Sequence, residues 1–184
     1  FRENIRNYYA CITGVDEHVG RIIQALKDCG IYDNTIIIFT SDHGVCMGGH
    51  GVEGKDVFYE ESMRIPMICC WKNKLHPQKS NLPVAFADLY PTLLSLMGME
   101  AQIPACVQTR NWKRLLLDEE IQTPEDAFQP YYYCIPSDST SGRRGIRTSR
   151  YTYVTEVEEG RLVRVWLYDR LRAVSYKHLR AHET

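Results

Sequence analysis

The stretch that most constrains this chain is residues 35–55. The apolar run Ile36-Ile37-Ile38-Phe39 leads directly into Ser41-Asp42-His43-Gly44, then into a glycine-rich loop and Gly54-Lys55. A short β-branched run bounded by polar residues reads as a buried parallel strand, and in open α/β sheets ligands bind just beyond the carboxyl ends of such strands. Asp42 and His43 therefore stand where chemistry is expected. A carboxylate beside an imidazole can chelate one metal ion, and Gly44, Gly48, Gly49 and Gly51 let the backbone turn back so that Lys55 returns a positive charge toward it. Such a set suits a tetrahedral oxyanion held between a metal ion and an ammonium group.

Around this stretch helix and strand patterns alternate. Tyr8, Ile12, Val15, Val19, Ile22, Ile23 and Leu26 recur at helical spacing, with Lys27 in the last turn and Gly30 placed to end the helix. After the loop, Phe58-Tyr59-Glu60-Glu61 leads to a second apolar run at residues 65–71, read as a second buried strand. Residues 87–97 form another apolar-periodic stretch, with Pro91 near its start and Gly98 just past its end, expected to pack on the same sheet. Residues 99–140 are a proline-interrupted connection. Residues 145–155 and 162–168, rich in Tyr, Thr, Val and Trp, flank Glu158-Glu159-Gly160 and read as an antiparallel hairpin. The expected fold class is α/β, a mostly parallel, helix-covered sheet with a small C-terminal antiparallel α+β subdomain. The expected division is residues 1–98, residues 99–169, and a tail at 170–184.

Composition narrows the partners. Lys plus Arg number 22 against 23 Asp plus Glu in 184 residues, so no global field recruits nucleic acid, and no apolar run is long enough to span a bilayer. Seven cysteines form no C-x-x-C pair. Cys11, Cys29, Cys69 and Cys70 read as small buried hydrophobes, and Cys46 as a loop side chain before a thiolate ligand. The chain opens at Phe1 with neither an initiator Met nor a leader pattern, which reads as a cut inside a longer protein. Residues 173–184 resemble translated sequencing-adapter read-through and are set aside as a non-native tail.

Each functional residue also has an ordinary reading. Ser and Asp after a strand cap helices, a Lys after Gly is commonly a solvated side chain, His18 reads as a structural histidine, and Glu60 and Glu61 as partners of Arg64 or as caps on the approach to the second strand. Joint occurrence in one connection favours the functional reading of Asp42, His43 and Lys55. His50, in Gly-His-Gly, either joins the site or shapes the turn.

The segments YYACITGVDEHVGRIIQALKDCGIYDNTIIIFTSDHG and GGHGVEGKDVFYEESMRIPMI resemble the second half of the catalytic domain of type I sulfatases, in the alkaline-phosphatase superfamily. The run from Asp88 to Leu94 is similar to the segment that follows the family's metal loop, and residues 147–151 through 167–169 are similar to its C-terminal hairpin, so the resemblance reaches Asp169. It implies an alkaline-phosphatase-like fold, Asp42 and His43 as ligands of a divalent metal, usually Ca²⁺, and Lys55 as a catalytic contact to the substrate sulfate; His50 is a further candidate substrate contact from its place in the loop, beside the reading in which it shapes the turn. By hardness rules a histidine ligand favours zinc or manganese, so calcium rests on the resemblance, with Mg²⁺, Mn²⁺ and Zn²⁺ as the other candidates. It further implies a small-molecule or carbohydrate sulfate ester as substrate and an exported location: periplasmic, extracellular or lysosomal.

The family's nucleophile is a formylglycine made within Cys/Ser-x-Pro/Ala-x-Arg, a pattern this sequence lacks. The remaining metal ligands are expected upstream with it, so the 184 residues alone are expected to be inert. Three readings follow: part of a sulfate-ester hydrolase; part of a phosphodiesterase or phosphonate hydrolase using the same Asp-His pair; and a binding protein that retained the fold.

Overall fold

A computed structural model describes residues 2–81, 83–117, 129–135 and 138–171, in two compact units that divide between Pro77 and Gln78. The first unit begins with helix α1 (Arg2–Asp28), six residues longer at its start than the apolar periodicity alone marks. Its end is chemically explicit. The Gly30 N–H donates to the Lys27 carbonyl at 2.9 Å, the Ile31 N–H donates to the Leu26 carbonyl at 3.1 Å, and Gly30 takes φ +68°, the left-handed closure only glycine adopts cheaply. Strands β1 (Ile37–Thr40), β2 (Cys46–Met47) and β3 (Glu53–Gly54), the single turn α2 (Glu60–Met63) and strand β4 (Met67–Cys70) complete the unit.

The two strands expected to be parallel are not. β1 and β4 pair antiparallel, Ile37 opposite Cys70 and Thr40 opposite Met67. The cause lies in the connection: the Gly44 N–H donates to the Ser62 carbonyl at 2.8 Å, so both ends of the intervening loop are tied together at the exit of β1. The chain thus re-enters the sheet from that same end, without the crossover that a parallel return needs. Among the described residues no parallel pair occurs. The expected burial is also corrected. β1 is only half-buried, Ile68 in β4 is 60 % exposed, and Cys69 and Cys70 are half-buried, while the apolar stripe of α1, with Ile22 61 % exposed, leaves Cys11 and Cys29 in solvent. Within the stripe Val19, Ile23 and Leu26 are half-buried, and Tyr8, Ile12, Val15 and Ile22 are exposed. Among the described residues of this unit the buried ones are Cys46, Phe58 and Ser62.

In the second unit, helix α3 (Leu89–Leu96) matches the punctuation read at Pro91 and Gly98. It is held by the segment leading into the turn α4 (Lys113–Leu116). The Asp88 carboxylate, 5 % exposed, accepts from the Ala85 N–H (2.9 Å), the Arg110 N–H (3.0 Å) and the Trp112 indole N–H (3.0 Å), and the Trp112 N–H donates to the Thr92 hydroxyl (3.0 Å). Buried polar groups must be paired, and here one carboxylate satisfies three donors. Asp88→Ala is expected to lower the unfolding free energy of this unit by roughly 2–4 kcal/mol, measured as the shift of its urea midpoint, because one buried and two part-buried N–H groups lose their acceptor.

Strands β5 (Gln129–Ile135), β6 (Asp138–Arg147), β7 (Tyr151–Glu158) and β8 (Arg161–Asp169) form a four-stranded antiparallel meander. The hairpin read from sequence is β7–β8, turning at Glu159 (φ 48°) and Gly160 (φ 77°). The run 145–155, read as one strand, is divided between β6 and β7 by a tight turn closed from the Thr148 N–H to the Tyr151 carbonyl at 2.8 Å. Val154, with no exposed surface, sits between Gly145 and Trp166 of the neighbouring strands, and a side chain at 145 would strike the Tyr153 carbonyl. Arg170 still belongs to this fold, its guanidinium donating to the Thr148 carbonyl at 2.7 Å; the rest of the proposed tail, 172–184, lies outside the described residues.

Candidate active site

At the end of β1 the backbone leaves extended geometry, and the side chains of Asp42 and His43 turn toward each other. Asp42 Oδ2 lies 3.3 Å from His43 Nε2, while Asp42 Oδ1 accepts the His43 backbone N–H at 2.8 Å and sits 3.3 Å from the Ser41 hydroxyl. The His43 N–H holds the Asp42 carboxyl below its usual range, against a smaller opposing push from desolvation. The carboxylate is thus ionised and fixed in direction, although both side chains are open to solvent.

Lys55 reaches the same point from the far end of the loop, its ammonium 2.8 Å from His43 Nε2. The contacts of His43 assign its tautomer. Nδ1 stands 2.9 Å from the Gly44 carbonyl, which only accepts, and Nε2 faces an ammonium, which only donates. Nδ1 therefore carries the proton and Nε2 the lone pair, so the approach of Asp42 to Nε2 is not an ion pair with a charged imidazole. The Asp42 carboxylate oxygen and the Lys55 ammonium both approach the same imidazole nitrogen, Nε2, at 3.3 and 2.8 Å.

The loop that brings Lys55 back is built on close approaches. β2 and β3 pair Cys46 with Gly54 and Met47 with Glu53, closed by the Gly48 N–H donating to the Val52 carbonyl at 3.0 Å. A Cβ at Gly44 would collide with the Glu61 carbonyl oxygen, so that position must be glycine for steric reasons. Gly44→Ala is expected to push the 61–62 backbone off the Asp-His corner and cost at least about 2 kcal/mol, with loss of the His43 ring contacts visible by NMR. Cys46 is fully buried, and its thiol is pushed up by that burial first and by Glu61 second, which makes it a packing residue and a poor thiolate donor.

His50 is placed by contacts of its own. Its ring stacks on Tyr59 at 4.2 Å with 13° between planes, and Nε2 lies 3.4 Å from Glu61 Oε1. Glu61, read from sequence as a partner of Arg64, instead faces the loop, and its role and that of Tyr59 were missed. The available signal was the density of glycine around His50, which calls for something to hold the turn. His18 makes an ordinary helical contact, Nδ1 to the Gly14 carbonyl at 2.8 Å.

The donors fit a divalent ion in part. Two ligands at right angles, each about 2.3–2.4 Å from one ion, stand about 3.3 Å apart, the separation found between Asp42 Oδ2 and His43 Nε2. Hard carboxylate with borderline imidazole accommodates calcium, magnesium, manganese or zinc. Among the described residues no third His, Cys, Asp or Glu converges with them. An ion on Nε2 would take the lone pair now used by Lys55, so the two cations exclude each other at that atom.

Known proteins resemble the chain over most of its length. The profile of the Sulfatase family matches residues 2–99, more than half of the chain, and the chain belongs to that family. An N-acetylglucosamine-6-O-sulfatase of Bacteroides thetaiotaomicron is 33% identical over 159 residues, covering 84% of this chain and 28% of its own length. Among solved structures, the yidJ protein of Bacteroides fragilis superimposes with a TM-score of 0.89 at 55% identity, over 94% of this chain and 37% of that one. A phosphonate monoester hydrolase of Agrobacterium radiobacter follows at a TM-score of 0.71 and 29% identity, over 86% of this chain and 33% of its own. The chain spans about a third of the length of the curated relatives it matches. These structural neighbours share the alkaline-phosphatase-like fold, and the small antiparallel C-terminal sheet is consistent with it.

Proposed function

We propose that this chain, through the loop that follows β1, supplies part of the active site of a sulfate-ester hydrolase acting on a small-molecule or carbohydrate sulfate. The observation that carries this reading is the meeting of the Asp42 carboxylate, the His43 Nε2 lone pair and the Lys55 ammonium at the end of β1. In it, Asp42 and His43 are two ligands of a divalent ion, with calcium the family's usual choice, and Lys55 is the donor to the sulfate. A bound divalent ion supplies charge neutralisation and polarisation of the sulfuryl oxygens. The chain's own contribution is geometric. The Gly44 carbonyl holds His43 in the tautomer that presents Nε2, the His43 N–H aims the Asp42 carboxylate, and the loop delivers an ammonium that donates to the anion's oxygens as charge shifts onto the leaving group. Neither Asp42, His43 nor Lys55 is the nucleophile in this scheme, and the Cys/Ser-x-Pro/Ala-x-Arg pattern for formylglycine does not occur in the sequence.

The exposed apolar stripe of α1 and the open side of β4 suit a place within a larger, mostly parallel sheet, and the reading carries with it export from the cytoplasm. The likeness to a phosphonate monoester hydrolase supports a second reading, in which the same pair serves phosphoryl transfer. Parallel assays of the full-length protein with N-acetylglucosamine 6-sulfate, an aryl sulfate and a phosphonate monoester separate the two. Turnover of a sulfate ester at least about a hundredfold above the phosphonate supports the first; the reverse order replaces it with the second, and no turnover of any ester leaves a binding protein.

A further inference from the structure

The loop between His43 and Lys55 holds a turn that local backbone preference does not favour. Gly48 (φ 90°), His50 (φ 57°) and Gly51 (φ 71°) all lie in left-handed conformations, and for a non-glycine residue such as His50 that costs on the order of 1 kcal/mol or more. Something outside the turn must over-determine it, and the contacts converge on one residue. Glu61 Oε1 lies 3.4 Å from His50 Nε2 and would stand only 2.9 Å from a Cβ at Gly49; the Glu61 carbonyl lies against Gly44, beside the Ser62 carbonyl that accepts the Gly44 N–H. Tyr59, two residues earlier, stacks on the His50 ring. Glu61 also lies close enough to Cys46, at the base of the loop, to raise its thiol. One residue thus touches the loop at its start, beside His43, and at its tip, from which β3 runs back to Lys55.

We propose that the Glu61–His50 pair, with Tyr59 behind it, positions Lys55: it locks the loop tip so that β3 delivers the ammonium to the Asp42–His43 corner. Glu61 has no contact with the side chains of Asp42, His43 or Lys55 and acts through His50. The inference rests on reading Lys55 as the anion donor, but its geometric content can be tested without any substrate.

The test uses ¹⁵N-labelled chain and two-bond ¹H–¹⁵N correlations of the histidine rings, which report separately on His50 and on His43 Nε2 as the acceptor from Lys55. Glu61→Ala is expected to shift His50 and, with it, His43 Nε2 toward the value that Lys55→Ala produces directly. Glu61→Gln, whose amide oxygen still accepts from His50, is expected to keep the His43 signal at its wild-type position. His50→Ala removes the carboxylate's partner without altering residues 61–62, so it decides the matter if Glu61→Ala does not fold, and it is expected to move His43 in the same way. In the full-length protein, Glu61→Ala is expected to lower kcat/KM by about ten- to a hundredfold, the scale of a misplaced catalytic group, with the loss in kcat and recovery in Glu61→Gln. Folded Glu61→Ala and His50→Ala chains that both retain the wild-type His43 signal would overturn the proposal whatever the enzyme's substrate; an enzyme that prefers phosphonate monoesters would overturn the sulfatase reading and leave this positioning role to the ring spectra.

Discussion

Replacing Asp42 with alanine in the full-length protein is expected to reduce sulfate-ester turnover by at least about three orders of magnitude. Asp42 is the charged member of the pair, held ionised by the His43 N–H and aimed by Oδ1 so that Oδ2 stands 3.3 Å from Nε2. If Asp42 and His43 are the proposed metal ligands, removing Asp42 leaves the imidazole alone to hold the ion. The side chain is 78 % exposed and helps bury nothing, so the variant is expected to melt within a degree or two of the parent. Activity against a sulfate ester, with thermal melting as the control for folding, checks both halves. Asp42→Ala enzyme with full turnover, or a parent indifferent to exhaustive chelation, would remove Asp42 from the site.

Lys55→Ala is expected to lower kcat/KM by about two to three orders of magnitude, the scale for deleting one donor to a developing oxyanion. Its ammonium lies 2.8 Å from His43 Nε2, a contact made at the exposed surface of the loop. If Lys55 acts mainly on the transition state, kcat falls with kcat/KM; if it only holds the ground-state anion, KM rises and kcat stays. An ordinary surface lysine would produce neither change. Lys55→Arg is a useful companion: it keeps the charge, but its planar fork does not reproduce a compact donor on a single lone pair, so it is expected to recover only part of the loss.

Local pattern carried much of this protein. The 3.6-residue recurrence of Tyr8, Ile12, Val15, Val19 and Ile22, with Gly30 after it, determines α1 and its end, because a helix stripe and a left-handed closure are both properties of neighbours in sequence. The same holds for α3 with Gly98 and for the β7–β8 hairpin around Glu159-Gly160. That Asp42, His43 and Lys55 meet was also legible, since a strand end followed by a glycine-rich return leaves the chain few other ways to go.

What pattern could not supply were choices made by distant atoms. The direction of β4 was decided by the Gly44–Ser62 bond, which ties residues 18 apart and so reverses the pairing an apolar run alone suggests. The split of residues 145–155 into two strands was set by a turn at Thr148 that a continuous β-prone sequence hides. Burial was overestimated for Cys11, Cys29 and Ile68 because an apolar stripe announces that it wants a partner and not whether one is present. Glu61 was assigned to Arg64 on proximity in sequence, whereas the fold turns it to His50, eleven residues back across the loop. Residue types and their spacing determined which elements form and which side chains can do chemistry; only the tertiary structure decided which way the strands run and which carboxylate holds the loop, because those depend on contacts whose cost is paid in closing long segments of chain.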